Sequence, residues 1–153
     1  MNDLVIRDAI SADERRWREL WQGYCDFYKT DMPEDVTDTT WRRILDPNRA
    51  DFGCVVAERD GRIIGFANYV LHPYTWSTGE QCYLNDLFVD PEVRGGGVGR
   101  ELIAFLQRRG AERGWTRIHW LTHETNATAR RLYDRFSPPS GFIQYMIPVK
   151  EDA

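Results

Sequence analysis

The spacing of hydrophobic residues changes along the chain, and each change predicts a new element of secondary structure. Apolar residues three and four apart predict a helix after the Ser11-Ala12-Asp13-Glu14 capping box and a second helix around Trp41. Consecutive or alternating apolar residues predict strands at 4–7, 52–57, 63–71, 83–89, 117–122 and 142–149. Two further helices are predicted after the glycines at 95–99 and after Thr125-Asn126. The order β-α-α-β-β-β-α-β-α-β indicates a mixed sheet with helices on its faces.

The stretch from Tyr83 to Leu106 combines a strand, a glycine-rich turn and a helix. Asp90-Pro91 ends the strand, since proline lacks the N–H that a ladder needs. The run Arg94-Gly95-Gly96-Gly97-Val98-Gly99 then leads into a helix that begins near Arg100. Glycines let backbone N–H groups approach a ligand, and the first N–H groups of a helix favour an anion. A pyrophosphate is therefore the expected ligand, with Arg94 and Arg100 adding positive charge; a plain flexible loop is the alternative.

Two common phosphate-binding patterns do not fit this loop. The dinucleotide spacing fails because Val98 or Arg100 stands where a glycine is required, and no Lys-Ser or Lys-Thr follows for a Walker loop. The spacing that fits is Arg94-x-x-Gly97-x-Gly99.

The composition is that of an ordinary globular protein. The 153 residues are 42% hydrophobic and 29% charged, which predicts one domain spanning 1–153. The net charge of −4 argues against a nucleic-acid partner, and no apolar run predicts a membrane partner. Cys25, Cys54 and Cys82 have no metal or disulfide spacing, so free thiols in a reducing cytoplasm are expected. No pair of histidines has metal spacing, and no metal is expected.

The loop and the element order resemble those of the GCN5-related N-acetyltransferase (GNAT) superfamily, which binds coenzyme A at such a loop. The resemblance is closest to the fungal histone and polyamine acetyltransferase branch, which also contains a D-amino-acid acetyltransferase, and then to spermidine/spermine acetyltransferase. It rests on the loop, on Leu20–Tyr28, on Thr75-Trp76, on Tyr83–Asp90 and on Thr125-Asn126 with Leu132-Tyr133. It implies an α/β fold with a mixed, mostly antiparallel central sheet flanked by helices and a β-α-β acyl-CoA-binding core.

The resemblance also implies an acetyl-CoA-dependent transfer to a primary amine by direct attack in a ternary complex. A homodimer and a polyamine, lysine-like, histone-tail or amino-acid substrate are expected. The alternatives are a non-catalytic acyl-CoA sensor and a D-amino-acid N-acetyltransferase, whose substrate carboxylate would require a cation. The segment Ser137-Pro138-Pro139-Ser140-Gly141 departs from the family and puts the dimer geometry in question.

Asp86 is the candidate that binds and deprotonates the ammonium, because a charge in an apolar strand is costly without a purpose. The related polyamine enzymes have a second acid where this chain has Asn85. His123, Glu124 or an ordered water are the alternative bases. Tyr28 and Trp76 are further candidates for contact with the amine.

The family assigns the remaining roles by position. The backbone N–H groups of Leu87, Phe88 and Val89 would bind the thioester and the pantetheine arm. The loop residues Arg94 to Arg100 would bind the pyrophosphate, with Asn126 as a further cofactor contact. Tyr133 would contact the cofactor and protonate the departing thiolate.

Overall fold

The computed structural model describes residues 3–93 and 96–150 of the chain. They fall into two compact units, Met1–Leu121 and Thr122–Ala153. The single domain expected over 1–153 stays a prediction.

The first unit contains a five-stranded sheet in the order β1-β2-β3-β4-β5. Its strands are β1 (Val5–Asp8), β2 (Phe52–Arg59), β3 (Arg62–His72), β4 (Gln81–Val89) and β5 (Arg117–His119). Its helices are α1 (Glu14–Phe27), α2 (Glu34–Leu45) and α3 (Val98–Arg113). The first four strands pair antiparallel, and β4 pairs parallel with β5. The predicted mixed, mostly antiparallel sheet is therefore confirmed.

Tryptophans of α1 and α2 form the core on one face of this sheet. Trp17 is fully buried, and its ring centroid lies 5.4 Å from that of Trp21, 5.0 Å from Trp41 and 6.1 Å from Phe66 of β3. Trp17 and Trp21 are four residues apart and therefore lie on one apolar stripe of α1, which faces the sheet.

Helix α3 packs on the opposite face. A Cβ on Gly65 would lie 3.3 Å from Val98 and 3.5 Å from Leu102, so the absence of a side chain lets α3 approach β3 closely. Gly114 ends α3 in a left-handed conformation (φ 78°), which is typical of a glycine at the end of a helix. The chain then enters β5 beside β4, which completes the predicted β-α-β unit.

The β2–β3 hairpin turns at Asp60-Gly61, a dipeptide typical of two-residue turns. Both residues have positive φ, 53° and 73°, which a two-residue turn requires when its twist matches that of the strands. Arg59 and Arg62 are consequently placed opposite each other at the ends of the two strands.

The second unit contains one helix, α4 (Ala127–Tyr133), among its described residues. The prediction of a final strand at 142–149 is wrong, because the residues there pair with no other strand among those described. Side chains along the whole segment are exposed, including Phe142 at 88% and Val149 at 94%, so neither face is buried. An apolar pattern makes a strand only where another strand satisfies its backbone groups and a core covers one face.

Two smaller corrections concern element boundaries. The carboxylate of Asp13 accepts from the N–H of Ile10 at 2.9 Å, so the cap lies one residue before the predicted Ser11 box. Strand β5 also ends at His119 rather than at Thr122, since its pairing with β4 covers only three residues.

Candidate active site

A β-bulge in β4 determines which way Asp86 points. Asn68 pairs with Asp86 and Tyr69 with Leu84, so Asn85 has no opposite residue on β3. One inserted residue reverses the alternation of side chains. Leu84 therefore faces α3, whereas Asp86 faces α1, as Phe88 does. Asn85 itself is exposed at the bulge.

The carboxylate of Asp86 accepts two side-chain hydrogen bonds. Asn68 donates through Nδ2 at 3.1 Å, and Tyr24 of α1 donates through its hydroxyl. Burial raises the pKa of Asp86, and these two donors counter only part of that increase. A carboxylate with a raised pKa is a better proton acceptor than an exposed one.

Aromatic side chains surround this carboxylate. The ring of Tyr24 lies 4.8 Å from that of Tyr28 and 6.3 Å from that of Phe88. Burial, followed by the negative charge of Asp86, raises the pKa of Tyr28 and of Tyr83. Tyr28 and Tyr83 therefore lie within electrostatic reach of Asp86.

Trp76 is placed differently from the other substrate candidates. It lies on the loop between β3 and β4 with 84% of its surface exposed, and its ring contacts Tyr74 at 5.9 Å. No ring contact or hydrogen bond joins it to Asp86 in the described part of the chain. Its predicted role in substrate binding stays a prediction.

Strand β4 separates from β5 after Tyr83, before it reaches Asp86. Within the described residues, the parallel pairing covers only Gln81–Tyr83 of β4. The N–H of Asp90 donates to Ile64 at 2.8 Å, and the alternation of an antiparallel ladder then directs the N–H groups of Val89 and Leu87 away from β3. The same alternation directs the N–H of Phe88 toward β3. Leu87 and Val89 are thus available as backbone donors, and the role expected of Phe88 stays a prediction.

The glycine loop leads directly into α3. Gly97 is the N-cap residue and has a left-handed conformation (φ 74°), and no side chain caps the helix. The first amides of α3 at Val98, Gly99 and Arg100 are therefore available to an anion. A Cβ on Gly97 would meet no described atom within 4 Å, and this space fits the pyrophosphate of coenzyme A. The predicted contacts Arg94 and Gly95 lie outside the described residues.

The other predicted residues belong to the second unit. Asn126 accepts a hydrogen bond from the N–H of Ala129 at 3.2 Å and is the N-cap of α4. Tyr133 is the last residue of α4 and is partly buried. Tyr133 follows Asn126 by seven positions, or about 10 Å along a helix axis. His123 and Glu124 precede the helix, and the roles of all four in catalysis or cofactor binding stay predictions.

Sequence reasoning missed two residues at the carboxylate. Asn68 is 2% exposed and interrupts an otherwise apolar strand, the same signal that singled out Asp86. Tyr24 carries no such signal in the sequence, because its hydrogen bond to Asp86 depends on the bulge.

Other kinds of site find no support in the part of the chain that the structure describes. No cluster of three or more potential metal ligands occurs there, and no helix there is long and apolar enough to cross a membrane. The three cysteines are buried and free, as expected. Burial raises the pKa of Cys82 to about 12 and raises the pKa of Cys25 and Cys54, which keeps the thiols protonated.

The sequence matches the family model of the Acetyltransferase (GNAT) family over residues 15–137. It is 37% identical over 147 residues to the D-amino-acid N-acetyltransferase HPA3 of Saccharomyces cerevisiae, covering 95% of this chain and 91% of the relative. It is 30% identical over 141 residues to thialysine N-epsilon-acetyltransferase of Sus scrofa, covering 87% and 82% of the two chains.

Solved structures share the fold. The aminoglycoside N-acetyltransferase AAC(6')-Iy in complex with CoA superposes with a TM-score of 0.81 at 23% identity, over 99% of this chain and 97% of the other. The family model covers most of the chain, and two relatives with 30% identity or more extend over nearly all of it. This chain therefore belongs to the acetyltransferase (GNAT) family and is an N-acetyltransferase.

Proposed function

We propose that the protein transfers an acetyl group from acetyl-CoA to a primary amine, with Asp86 as the residue that binds and deprotonates it. The observation that supports this most strongly is the hydrogen-bonded carboxylate that the β4 bulge turns toward α1. Polyamines, lysine-like amines, histone-tail amines and amino acids are the candidate substrates.

Residues of the first unit would hold acetyl-CoA. The amides at the start of α3, with Gly96, Gly97 and Arg100, bind its pyrophosphate in this proposal, and Arg94 and Gly95 belong to the same loop. The N–H groups of Leu87 and Val89 donate to the acetyl carbonyl and the pantetheine arm. When bound, acetyl-CoA supplies an activated acetyl thioester.

Asp86 solves the problem that an alkylamine presents at neutral pH. Such an amine has a pKa of about 10.4, so most of it is protonated and cannot attack. The carboxylate attracts the ammonium and accepts its proton, directly or through water. Tyr28, Asn85 and Trp76 would contact the rest of the substrate.

Leu87, Val89 and Tyr133 would serve the later part of the reaction. As the amine nitrogen bonds to the carbonyl carbon, the N–H groups stabilise the negative oxygen that develops there. The carbon–sulfur bond then breaks, and Tyr133 gives its hydroxyl proton to the thiolate. The proton that the nitrogen loses as the amide forms returns to the oxygen of Tyr133, directly or through water. No cysteine is assigned a covalent role, since all three thiols have raised pKa values and are buried.

A D-amino acid is the second candidate substrate, because the 37% identical yeast relative is named for that activity. The thialysine acetyltransferase of pig supports the lysine-like amines in the same way. The proposal further includes Asn126 as a cofactor contact and a homodimer, both of which rest on the family resemblance. It also includes a cytoplasmic location, which rests on the free cysteines.

The test measures thiol release from acetyl-CoA with spermidine, lysine and thialysine, D-amino acids and a histone-tail peptide. At least one class should give turnover. Asp86→Asn should raise the KM for that amine and lower kcat roughly a hundredfold, the lower part of the range for a general base. The affinity for acetyl-CoA should stay within about twofold, because backbone groups bind the cofactor.

The controls separate the alternatives. Asp26→Asn removes a carboxylate from the exposed surface of α1 and should leave the kinetics unchanged. Normal kinetics in Asp86→Asn would assign the base to His123, Glu124 or water. Binding of acetyl-CoA without turnover on any amine would indicate the acyl-CoA sensor.

A further inference from the structure

Arg59 lies beside the glycine loop although it is distant from it in sequence. It is the last residue of β2 and is partly buried. A Cβ placed on Gly96 would lie 3.6 Å from Nη1 of Arg59 and 3.8 Å from Nη2. Both ends of the guanidinium thus lie on the side of Gly96 that a side chain would occupy, immediately before α3.

This position is electrostatically unfavourable for a cation in the protein alone. The start of α3 carries the positive end of the helix dipole, and no side chain caps it. Arg62 stands directly opposite Arg59 across the hairpin, and like charges in that arrangement destabilise a sheet. Both features would favour binding of an anion.

No protein group among the described residues neutralises Arg59. Its Nε is buried without a hydrogen-bond partner, and no carboxylate there forms an ion pair with it. Other partly buried arginines of the same unit do have such partners: Arg7 with Asp13 at 2.8 Å, Arg16 with Asp90 at 2.6 Å and Arg109 with Asp8 at 2.7 Å. A buried donor without an acceptor costs free energy, which a ligand can recover by supplying the acceptor.

We propose that Arg59 is a pyrophosphate-binding residue of the acetyl-CoA site. A guanidinium matches two phosphate oxygens at once, and the amides of α3 approach the same anion from the helix axis. The inference rests on the proposed use of acetyl-CoA. It adds a cation from β2 to a site that the sequence placed only between Arg94 and Arg100.

Calorimetric titrations with CoA and with dephospho-CoA, which lacks the 3'-phosphate but keeps the pyrophosphate, test the assignment. Arg59→Ala should weaken both ligands by roughly ten- to a hundredfold, as expected for loss of a charged hydrogen bond. Arg59→Lys should retain part of the affinity. Arg15→Ala is the matched control: it removes the same charge from a side chain that is 95% exposed on α1, and should change affinity by no more than about twofold.

Melting temperatures provide a readout that does not depend on turnover. Without ligand, the Arg59→Ala variant should melt no lower than the wild type, because the repulsion between the charges of Arg59 and Arg62 is removed. CoA should raise the melting temperature of this variant less than it raises that of the wild type. A lower melting temperature of the free variant would show a structural role and overturn the proposal.

The remaining outcomes are distinct. Unchanged affinity of Arg59→Ala for both ligands overturns the assignment and leaves the acetyl-CoA site intact. If Arg59→Ala weakens the binding of CoA but not that of dephospho-CoA, Arg59 contacts the 3'-phosphate, and the pyrophosphate assignment is overturned. Failure of the wild type to bind either ligand overturns the proposed function and this inference together.

Discussion

At the scale of single residues, the site depends on a carboxylate in a partly buried position. Ionised carboxylates are costly there unless donors surround them, and Asp86 receives hydrogen bonds from Asn68 and Tyr24. Those bonds keep the charged form accessible, while burial raises its pKa. An ammonium that approaches would find a negative charge already fixed in orientation by two neutral partners.

Tyr133→Phe tests the proposed acid at the same scale. A thiolate leaving group has a pKa of roughly 8.5 by analogy with cysteine, so a proton donor helps without being indispensable. We expect kcat to fall about a hundredfold, with little change in melting temperature, since the aromatic ring remains. Stopped-flow or steady-state thiol release measures the effect.

Two further variants serve as controls for Tyr133→Phe. Tyr145→Phe removes a hydroxyl from a ring that is 87% exposed and should be neutral. Tyr133→Ala should lower the melting temperature if the ring packs in its unit. Retention of more than about half of the turnover in Tyr133→Phe would exclude general acid catalysis of the expected size.

At the scale of secondary-structure elements, the bulge in β4 and the start of α3 prepare the two halves of the site. The bulge reverses the side-chain alternation so that Asp86 faces α1. The start of α3 presents amides that no side chain caps. Gly65 lets α3 lie close to the sheet, which fixes where those amides point.

Gly99→Asp tests the start of α3. An acidic residue in the first turn of a helix is favourable by about 0.3–1 kcal/mol, so the free protein should melt at the same or a higher temperature. The same charge should repel the pyrophosphate and weaken CoA binding by roughly ten- to a hundredfold. Calorimetry with CoA checks this.

Gly99→Ala is the control, because it adds a Cβ without charge. Its affinity should lie much closer to that of the wild type. Equal CoA affinity in Gly99→Asp and the wild type would mean that the anion does not bind at this helix. Gly97 is less suited to the test, since its left-handed φ would strain any other residue.

At the scale of the whole molecule, Asp86 should affect stability as well as chemistry. Its pKa is raised in the folded protein, so the folded state holds the proton more tightly than the unfolded state. Asp86 therefore contributes to the free energy of unfolding fully at pH values below its pKa in the unfolded chain, near 3.8. This contribution is lost as the pH rises through the pKa of Asp86 in the folded protein. At neutral pH the wild type carries the cost of the buried charge.

Asp86→Asn should consequently be more stable than the wild type at neutral pH, with a difference that shrinks on acidification. Each unit of pKa shift is worth about 1.4 kcal/mol of unfolding free energy. Urea titrations between about pH 4 and pH 8 measure the difference. An advantage that did not vary with pH would mean that the pKa of Asp86 is not raised.

Asp90→Asn provides a control of opposite sign. Burial alone would raise the pKa of Asp90, but the N–H of Glu92 at 3.0 Å and the guanidinium of Arg16 at 2.6 Å outweigh it and lower the pKa. Its stabilising effect is present at neutral pH and is lost as pH falls. Asp90→Asn should therefore destabilise the protein most at neutral pH.

Much of the fold could be predicted because local patterns determine it. Alternating and continuous apolar runs defined the strands, Asp60-Gly61 defined the hairpin turn, and the glycines before Arg100 defined the start of α3. The prediction of a final strand was wrong, because the apolar pattern at 142–149 cannot show whether another strand will pair with this segment and a core will cover it.

The sequence by itself determined the element order, the glycine loop and the presence of Asp86 in an apolar strand, since these depend on spacing along the chain. Only the tertiary structure decided that Asp86 faces α1, that Tyr24 and Asn68 donate to it, and that Arg59 reaches the loop. A one-residue bulge reverses which face a side chain occupies, and contacts between distant segments arise only when the sheet and its helices pack together.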